Sequence, residues 1–311
     1  MENLLSAEQI DRELFSSIYS TALKVRKALR EGRKKFSVLR GKCVVNLFFE
    51  PSTRTRSSFE KAGKFLSADV INISTSVSSV QKGESLVDTV KNIDMMHPDV
   101  IVLRHPCEGA PHLAQRFVRA SVINAGDGRH QHPTQALLDC ATLTEHFGSL
   151  EGKRITIVGD IANSRVARSD ALLMRKLGAE VFVWGPSTMM PRVPEALGVK
   201  RLNSFDEVRE VSDAIILLRI QLERQNAKKT FPSVREYAEL FGINGKKLKE
   251  LRPETVILHP GPFNRGVEIT GEVAYGKRSL IFPQVEMGLA VRMVVLSILC
   301  NREEKLKEEV Q

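Results

Sequence analysis

Short apolar runs of strand length recur along this chain, each followed by a turn and then by a stretch with helical spacing. Val44-Val45-Asn46-Leu47-Phe48-Phe49 is the clearest run. Phe59, Ala62, Gly63 and Leu66 follow at i, i+3, i+4 and i+7, the signature of a helix with one apolar face. Between the two, Pro51 marks a turn and Ser52 or Thr53 suits a helix N-cap. Before them, Ile10, Leu14, Ile18, Leu23, Val25 and Leu29 predict an opening helix over 7–31. After them, strands are predicted at 68–73, 100–103 and 121–125, with a helix around 86–95 and a long helix opening at His132-Pro133-Thr134-Gln135. Near residue 150 the pattern starts again. Strands at 154–158, 181–184, 213–218 and 256–258 are separated by helical or charged stretches, and an apolar helix over about 285–300 closes the chain.

This alternation predicts an α/β protein of two domains, each a mostly parallel sheet flanked by helices. The break is placed at Phe147-Gly148-Ser149. The first domain is expected over 1–148 and the second over 149–284, with a closing helix over about 285–305 packing back on the first.

Composition narrows the class. With 311 residues, 42% apolar and 27% charged, the chain is an ordinary globular protein. No apolar run is read as approaching the roughly 20 residues of a membrane span. The start, Met1-Glu2-Asn3-Leu4-Leu5, lacks the layout of a signal peptide, so a cytoplasmic location is expected. Cys43, Cys107, Cys140 and Cys300 are scattered without a Cys-x-x-Cys pair, and are read as buried small apolar residues. The net charge of +9 fits nucleic acid or small anionic substrates. The basic residues are dispersed and no zinc-finger or RNP-like signature accompanies them, which favours a small anion. His130 and His132 stand at i, i+2, a weak pattern for zinc on a helix.

The chemistry collects at strand ends. Ser52-Thr53-Arg54-Thr55-Arg56 sits at the start of a helix, where unpaired N–H groups and the positive end of the dipole favour an anion. Arginines there need a compensating negative group, and the Arg fork with adjacent hydroxyls suits phosphate. Arg104, His132, Arg165, Arg219 and the Pro260-Gly261-Pro262 turn occupy other strand ends, the edge where open α/β sheets bind ligands. A multiply charged anionic substrate in a cleft between the domains is the economical reading. A lone strand-end Arg104 is also compatible with a surface residue, His132 with a core histidine, and Lys82 with a solvated charge. Gly159-Asp160-Ile161-Ala162-Asn163-Ser164 lacks the Gly-x-Gly-x-x-Gly spacing of a dinucleotide loop.

Ser52–Arg56, Lys82-Gly83-Glu84, Leu103-Arg104-His105-Pro106, His132-Pro133-Thr134-Gln135, Ser164-Arg165-Val166, Arg219-Ile220-Gln221 and His259-Pro260-Gly261-Pro262, in this order, resemble the aspartate/ornithine carbamoyltransferases over nearly the whole chain. The resemblance implies that Ser52, Thr53, Arg54 and Thr55 hold the phosphate of carbamoyl phosphate. It implies that Arg104, His132 and Thr55 act on its carbonyl oxygen and that Gln135 binds the carbamoyl amide. Arg165, Arg219 and Gln221 would grip the carboxylates of the acceptor, and Pro260 and Gly261 would offer carbonyls. His-Pro-Gly-Pro in place of the His-Cys-Leu-Pro of ornithine enzymes implies aspartate, the first committed acceptor of pyrimidine synthesis. Arg54, Thr55, Arg104, His132 and Lys82 would be the catalytic set, with no metal and no organic cofactor. Ser78 and Lys82 would enter a neighbouring subunit's site in a homotrimer, and Arg224 and Arg165 would meet Glu50 when a lid closes. Gln81 departs from a Lys-Lys pair seen in some members, and Phe263-Asn264-Arg265-Gly266 resembles members that assemble with dihydroorotase more than those with a regulatory chain. No nucleic-acid or membrane partner is implied.

Overall fold

The computed structural model describes residues 1–74, 83–220 and 233–310. The chain forms two compact units, one of Met1–Leu138 with Glu286–Gln311 and the other of Asp139–Val285. In the first, β1 (Cys43–Phe48), β2 (Asp69–Ser74), β3 (Val100–His105) and β4 (Ser121–Asp127) form a four-stranded sheet of order β2-β1-β3-β4, with every pairing parallel. Helices α1 (Arg12–Arg30), α2 (Thr53–Phe65), α3 (Leu86–Asp94) and α4 (Ala110–Gln115) belong to this unit, and α5 (Pro133–Phe147) begins in it.

The second unit carries β5 (Arg154–Val158), β6 (Glu180–Trp184), β7 (Lys200–Arg201), β8 (Ala214–Leu217) and β9 (Val256–Leu258). Their order is β7-β6-β5-β8-β9, again all parallel. Helices α6 (Arg165–Lys176) and α7 (Phe205–Val211) cross over between strands. The central strands are buried along nearly their whole length, which is why they read as continuous apolar runs and not as alternating ones.

Several boundaries differ from the sequence reading for local reasons. The opening stretch divides into a single turn, Ala7–Gln9, closed by a capping box between Ser6 and Gln9, and α1, which Asp11 caps through the Leu14 N–H. The two-residue β7 carries only exposed basic side chains, so no apolar pattern announced it. The closing helix starts at Ile281, four residues earlier than expected, because Pro283 falls in its first turn, where a missing N–H costs nothing.

That helix, Ile281–Leu299, also corrects the membrane reading. It is long and apolar enough to cross a bilayer by length and composition alone, but 72% of its apolar window is buried inside the protein. Arg292 within it bonds Ser58 and lies over the Phe59 ring, as befits a core helix. Two cysteines also depart from expectation. Cys107 is exposed and Cys43 half-buried, while Cys140 and Cys300 are buried.

Both sheets are pinned at their amino edge by the same device. Asp99 precedes β3; its carboxylate accepts the Cys43 N–H at 2.8 Å and meets Lys42 Nζ at 2.8 Å. Asp213 precedes β8 and accepts the Arg154 N–H at 2.8 Å, with the Arg154 and Arg252 guanidiniums at 3.2 and 2.7 Å. The backbone repeats as well. Asp99 N–H donates to Cys43 C=O and Asp213 N–H to Arg154 C=O, both continuing the ladder of the central strand pair.

Burial works to raise the Asp213 pKa, but the hydrogen bonds from Arg154 and Arg252 outweigh it and hold the carboxyl below its ordinary value. A carboxyl depressed in the folded state stabilises above its unfolded pKa, and that stabilisation is lost as pH falls through the folded one. Asp213→Ala is therefore expected to cost about 2 kcal/mol at neutral pH. The cost fades below roughly pH 4. Denaturant unfolding of both proteins across pH reads this directly.

Candidate active site

In each unit the chain order reverses at one place in the sheet. From β1 the chain turns to β2 on one side, and β3 and β4 lie on the other; likewise β6 and β7 lie on one side of β5, with β8 and β9 on the other. Connections leave the sheet in opposite directions at such a point, which opens a crevice beyond the strands' carboxyl ends. The first crevice lies past β1 and β3, the second past β5 and β8.

Past β1, Ser52 takes the N-cap position of α2, but its hydroxyl makes no capping bond. Asp11, Ser85 and Ser164 all cap their helices through a side-chain oxygen. The first turn of α2 holds no acidic residue, and it carries Arg54 and Arg56. Thr55 is buried, while Thr53 and Arg54 are exposed. This helix start therefore concentrates positive potential and hydroxyl donors, the requirements of a phosphate site.

At the carboxyl end of β3, Arg104 is held at the sheet edge. Its Nη1 donates to the Ala125 carbonyl at 3.3 Å, and its Nε lies 3.4 Å from Glu50 Oε2. The two side chains are only 15% and 12% exposed. Register places Arg104 opposite Phe48, the last residue of β1, so the guanidinium originates one strand away from the α2 turn. On the next strand, the fully buried Asp127 ties down the loop that carries His132. Its carboxylate accepts N–H groups from Gly109 and Gln131 and the Asn124 amide, and lies 3.0 Å from His130 Nδ1. His132 and Gln135 are both buried at the start of α5, and the His132 carbonyl accepts the Gln135 N–H.

The second unit repeats the scheme. Gly159 ends β5 with φ +128°; a Cβ there would lie 3.1 Å from Leu218 Cβ and 3.2 Å from the Tyr237 hydroxyl, so only glycine fits. Arg165 is the first residue of α6, buried, behind the capping Ser164. Arg219 stands two residues past β8 and is half-buried. Past β9, buried His259 leads into Pro260 and Gly261, and Gly261 adopts φ +61°. Thus Ser52, Thr53, Arg54, Thr55, Arg104, His132 and Gln135 share the carboxyl edge of one sheet, and Arg165, Arg219, Pro260 and Gly261 that of the other. Ser78, Lys82, Gln221 and Arg224 lie outside the described residues.

Two acidic residues escaped the sequence reading in these roles. Glu50 supports Arg104, a role the sequence reading did not give it. Glu268 is buried at 1% exposure. Its sequence signal was a single charge between the apolar Val267 and Ile269. Among the described residues, His112, Asp127 and His130 bring potential metal-ligand atoms within 4.8 Å of one another. Both Asp127 oxygens are already engaged by the loop, so its carboxylate serves as a structural tie.

Two family descriptions match consecutive parts of the chain. Residues 2–145 match the aspartate/ornithine carbamoyltransferase carbamoyl-P binding domain, and residues 151–299 the Asp/Orn binding domain. The aspartate carbamoyltransferase catalytic subunit of Anaeromyxobacter sp. (strain Fw109-5) is 53% identical over 301 residues, covering 96% of this chain and 95% of that one. The chain belongs to the aspartate/ornithine carbamoyltransferase family. Within that family, the solved aspartate transcarbamoylase of Trypanosoma cruzi in complex with N-(phosphonacetyl)-L-aspartic acid superposes with a TM-score of 0.87 at 31% identity, over 95% of both chains. The same enzyme in complex with carbamoyl phosphate and aspartate gives 0.86 at 31% identity, over 95% of this chain and 96% of that one. The carbamoyltransferase match divides the chain as the two switch points do, a carbamoyl-phosphate half followed by an acceptor half.

If the α2 turn is the phosphate site, inorganic phosphate stabilises the protein by about 2.7 kcal/mol at 100 times its dissociation constant. Arg54→Ala should abolish most of that stabilisation while leaving the phosphate-free unfolding midpoint within a degree or two. Thermal scans with and without phosphate measure both.

Proposed function

We propose that this chain transfers the carbamoyl group of carbamoyl phosphate to the α-amine of L-aspartate, giving N-carbamoyl-L-aspartate and phosphate in pyrimidine biosynthesis. The observation that carries the reading is the matched placement of cations at both switch points. Ser52, Thr53, Arg54 and Thr55 answer a phosphate in the first, while Arg165 and Arg219 answer a pair of carboxylates in the second. An acceptor with a second ammonium group, such as ornithine, would meet repulsion from the same arginines.

The chemistry follows from where charge develops. The neutral amine attacks the carbamoyl carbon, a C–N bond forms, and negative charge grows on the carbonyl oxygen. Thr55, Arg104 and His132 are the donors assigned to that oxygen, each well-placed donor worth about 3–4 kcal/mol in the transition state. The C–O bond to phosphate then breaks, and phosphate leaves with the amine proton, its charge met by the α2 turn. Glu50 and the Ala125 carbonyl fix the Arg104 guanidinium before substrate arrives, so little reorganisation is left for the reaction itself. Gln135 takes the carbamoyl amide, and the Pro260 and Gly261 carbonyls contact the carbamoyl and amino groups. Lys82 and Gln221 complete the acceptor contacts in this reading.

The proposal extends to assembly and location. A cytoplasmic homotrimer in which Ser78 and Lys82 serve a neighbouring subunit's site is the form the family resemblance supports, and dihydroorotase or a regulatory chain is the candidate for higher assembly. Offered carbamoyl phosphate with equal aspartate and ornithine, the purified protein is expected to make carbamoyl-aspartate alone; citrulline would overturn the aspartate half of the reading. Inactive Lys82→Ala and His132→Ala chains, dissociated and reassembled together, should regain part of the wild-type activity. Mixed trimers without activity would refute site sharing.

A further inference from the structure

The buried acid of the second unit has no place in the chemistry above. Glu268 and His259 have side chains 1% and 0% exposed, with Glu268 Oε1 3.3 Å from His259 Nε2. The same Oε1 accepts the Asn264 N–H at 2.6 Å, and Oε2 lies 3.4 Å from Asn264 Nδ2. Asn264 Nδ2 also donates to the Ile220 carbonyl at 2.9 Å, one residue from Arg219. On the other side of the imidazole, the Gly261 N–H donates to His259 Nδ1 at 2.8 Å. Nδ1 must therefore hold a lone pair, which places the ring proton on Nε2, facing the Glu268 carboxylate. The His259 backbone is fixed as well, its N–H donating to Gln284 Oε1 at 3.0 Å.

A carboxylate between Val267 and Ile269 is an expensive choice for a core position, since a buried charge is tolerated only when fully paired. An apolar residue would serve packing better. What the carboxylate supplies is a single group that reaches both the turn carrying Gly261 and the strand end carrying Arg219. We propose that Glu268 is a positioning residue for the acceptor site, lying against the His259 imidazole whose tautomer the Gly261 N–H sets, and so holding the Pro260-Gly261 turn, while Asn264 carries the same constraint to Ile220 and Arg219. The inference rests on the reading of Arg219 and Gly261 as aspartate contacts. All of these groups lie in the second unit and none in the one that carries the α2 turn, so the effect is expected on the aspartate KM far more than on the carbamoyl phosphate KM.

The test compares Glu268→Ala, Glu268→Gln, Asn264→Ala and Arg219→Ala in steady-state kinetics with each substrate varied. Glu268→Ala is expected to raise the aspartate KM about tenfold, the scale of a sub-ångström to ångström misplacement of contacts. The carbamoyl phosphate KM should stay within twofold. Glu268→Gln keeps an oxygen to accept the Asn264 N–H and to face His259 Nε2, and should return the aspartate KM to within about threefold of wild type. Asn264→Ala, at a half-buried position, should raise the aspartate KM in the same direction and decides the matter if Glu268→Ala does not fold. A wild-type aspartate KM in folded Glu268→Ala or Asn264→Ala overturns the proposal, as does an equal loss for both substrates, which marks a general packing defect. Arg219→Ala separates the two readings. If it leaves the aspartate KM unchanged, the acceptor-site assignment itself fails; if it raises the KM while the Glu268 and Asn264 variants do not, only the positioning role fails.

Discussion

Parallel strand pairing is the constraint from which the rest of this molecule follows. When every strand in a sheet points the same way, all carboxyl ends share one edge, and each connection must cross back over a face before the next strand begins. The helices are the consequence of that return path, and the apolar strands are the consequence of being covered on both faces. Reversal of strand order then chooses one crevice along the edge. Both units obey this logic, and both place cations at or beyond the carboxyl ends of their two central strands: Arg54 and Arg104 in one, Arg165 and Arg219 in the other.

Cations placed along one sheet edge repel one another, and a carboxylate and a carbonyl stand against one of them. Glu50 and the Ala125 carbonyl stand against Arg104. Asp127 secures the loop leading to His132 through neutral donors. Glu268 secures the loop after β9. Of these acids Glu50 meets an arginine directly, while Asp127 and Glu268 fix the backbone of loops that carry site residues. The absence of an acid from the α2 first turn is the complement of this pattern, leaving the helix dipole unmatched where phosphate would bind.

Much of this was legible beforehand. Periodicity named the strands at 154–158 and 256–258 to the residue, because apolar runs bounded by charge leave no choice of boundary. The helix start at Ser52 could be read from Pro51 and the hydroxyls. The supporting acids could not. Glu50, Asp127 and Glu268 act through partners 3 to 54 residues away in sequence, such as Asn124 and Arg104, and no single local pattern encodes that spread. A lone charge amid apolar neighbours, as at Glu268, is the trace such a residue leaves. The last helix begins four residues before the expected Val285, with Pro283 accommodated in its first turn.

The aspartates at the amino edges set a height as well as an attachment. Asp99 lies five residues before Arg104 and Asp213 six before Arg219, a lever of roughly 17–20 Å along extended backbone. Each acid fixes the starting level of a strand against its neighbour's first N–H, and so decides how far the arginine at the other end protrudes. Sliding by one residue would turn every side chain of the strand to the opposite face. It would send the Arg104 guanidinium into the packing layer and bring an apolar neighbour to the crevice. The chemistry at one end of each sheet is thus calibrated at the other, and a lesion at the quiet edge would register as a fault of alignment.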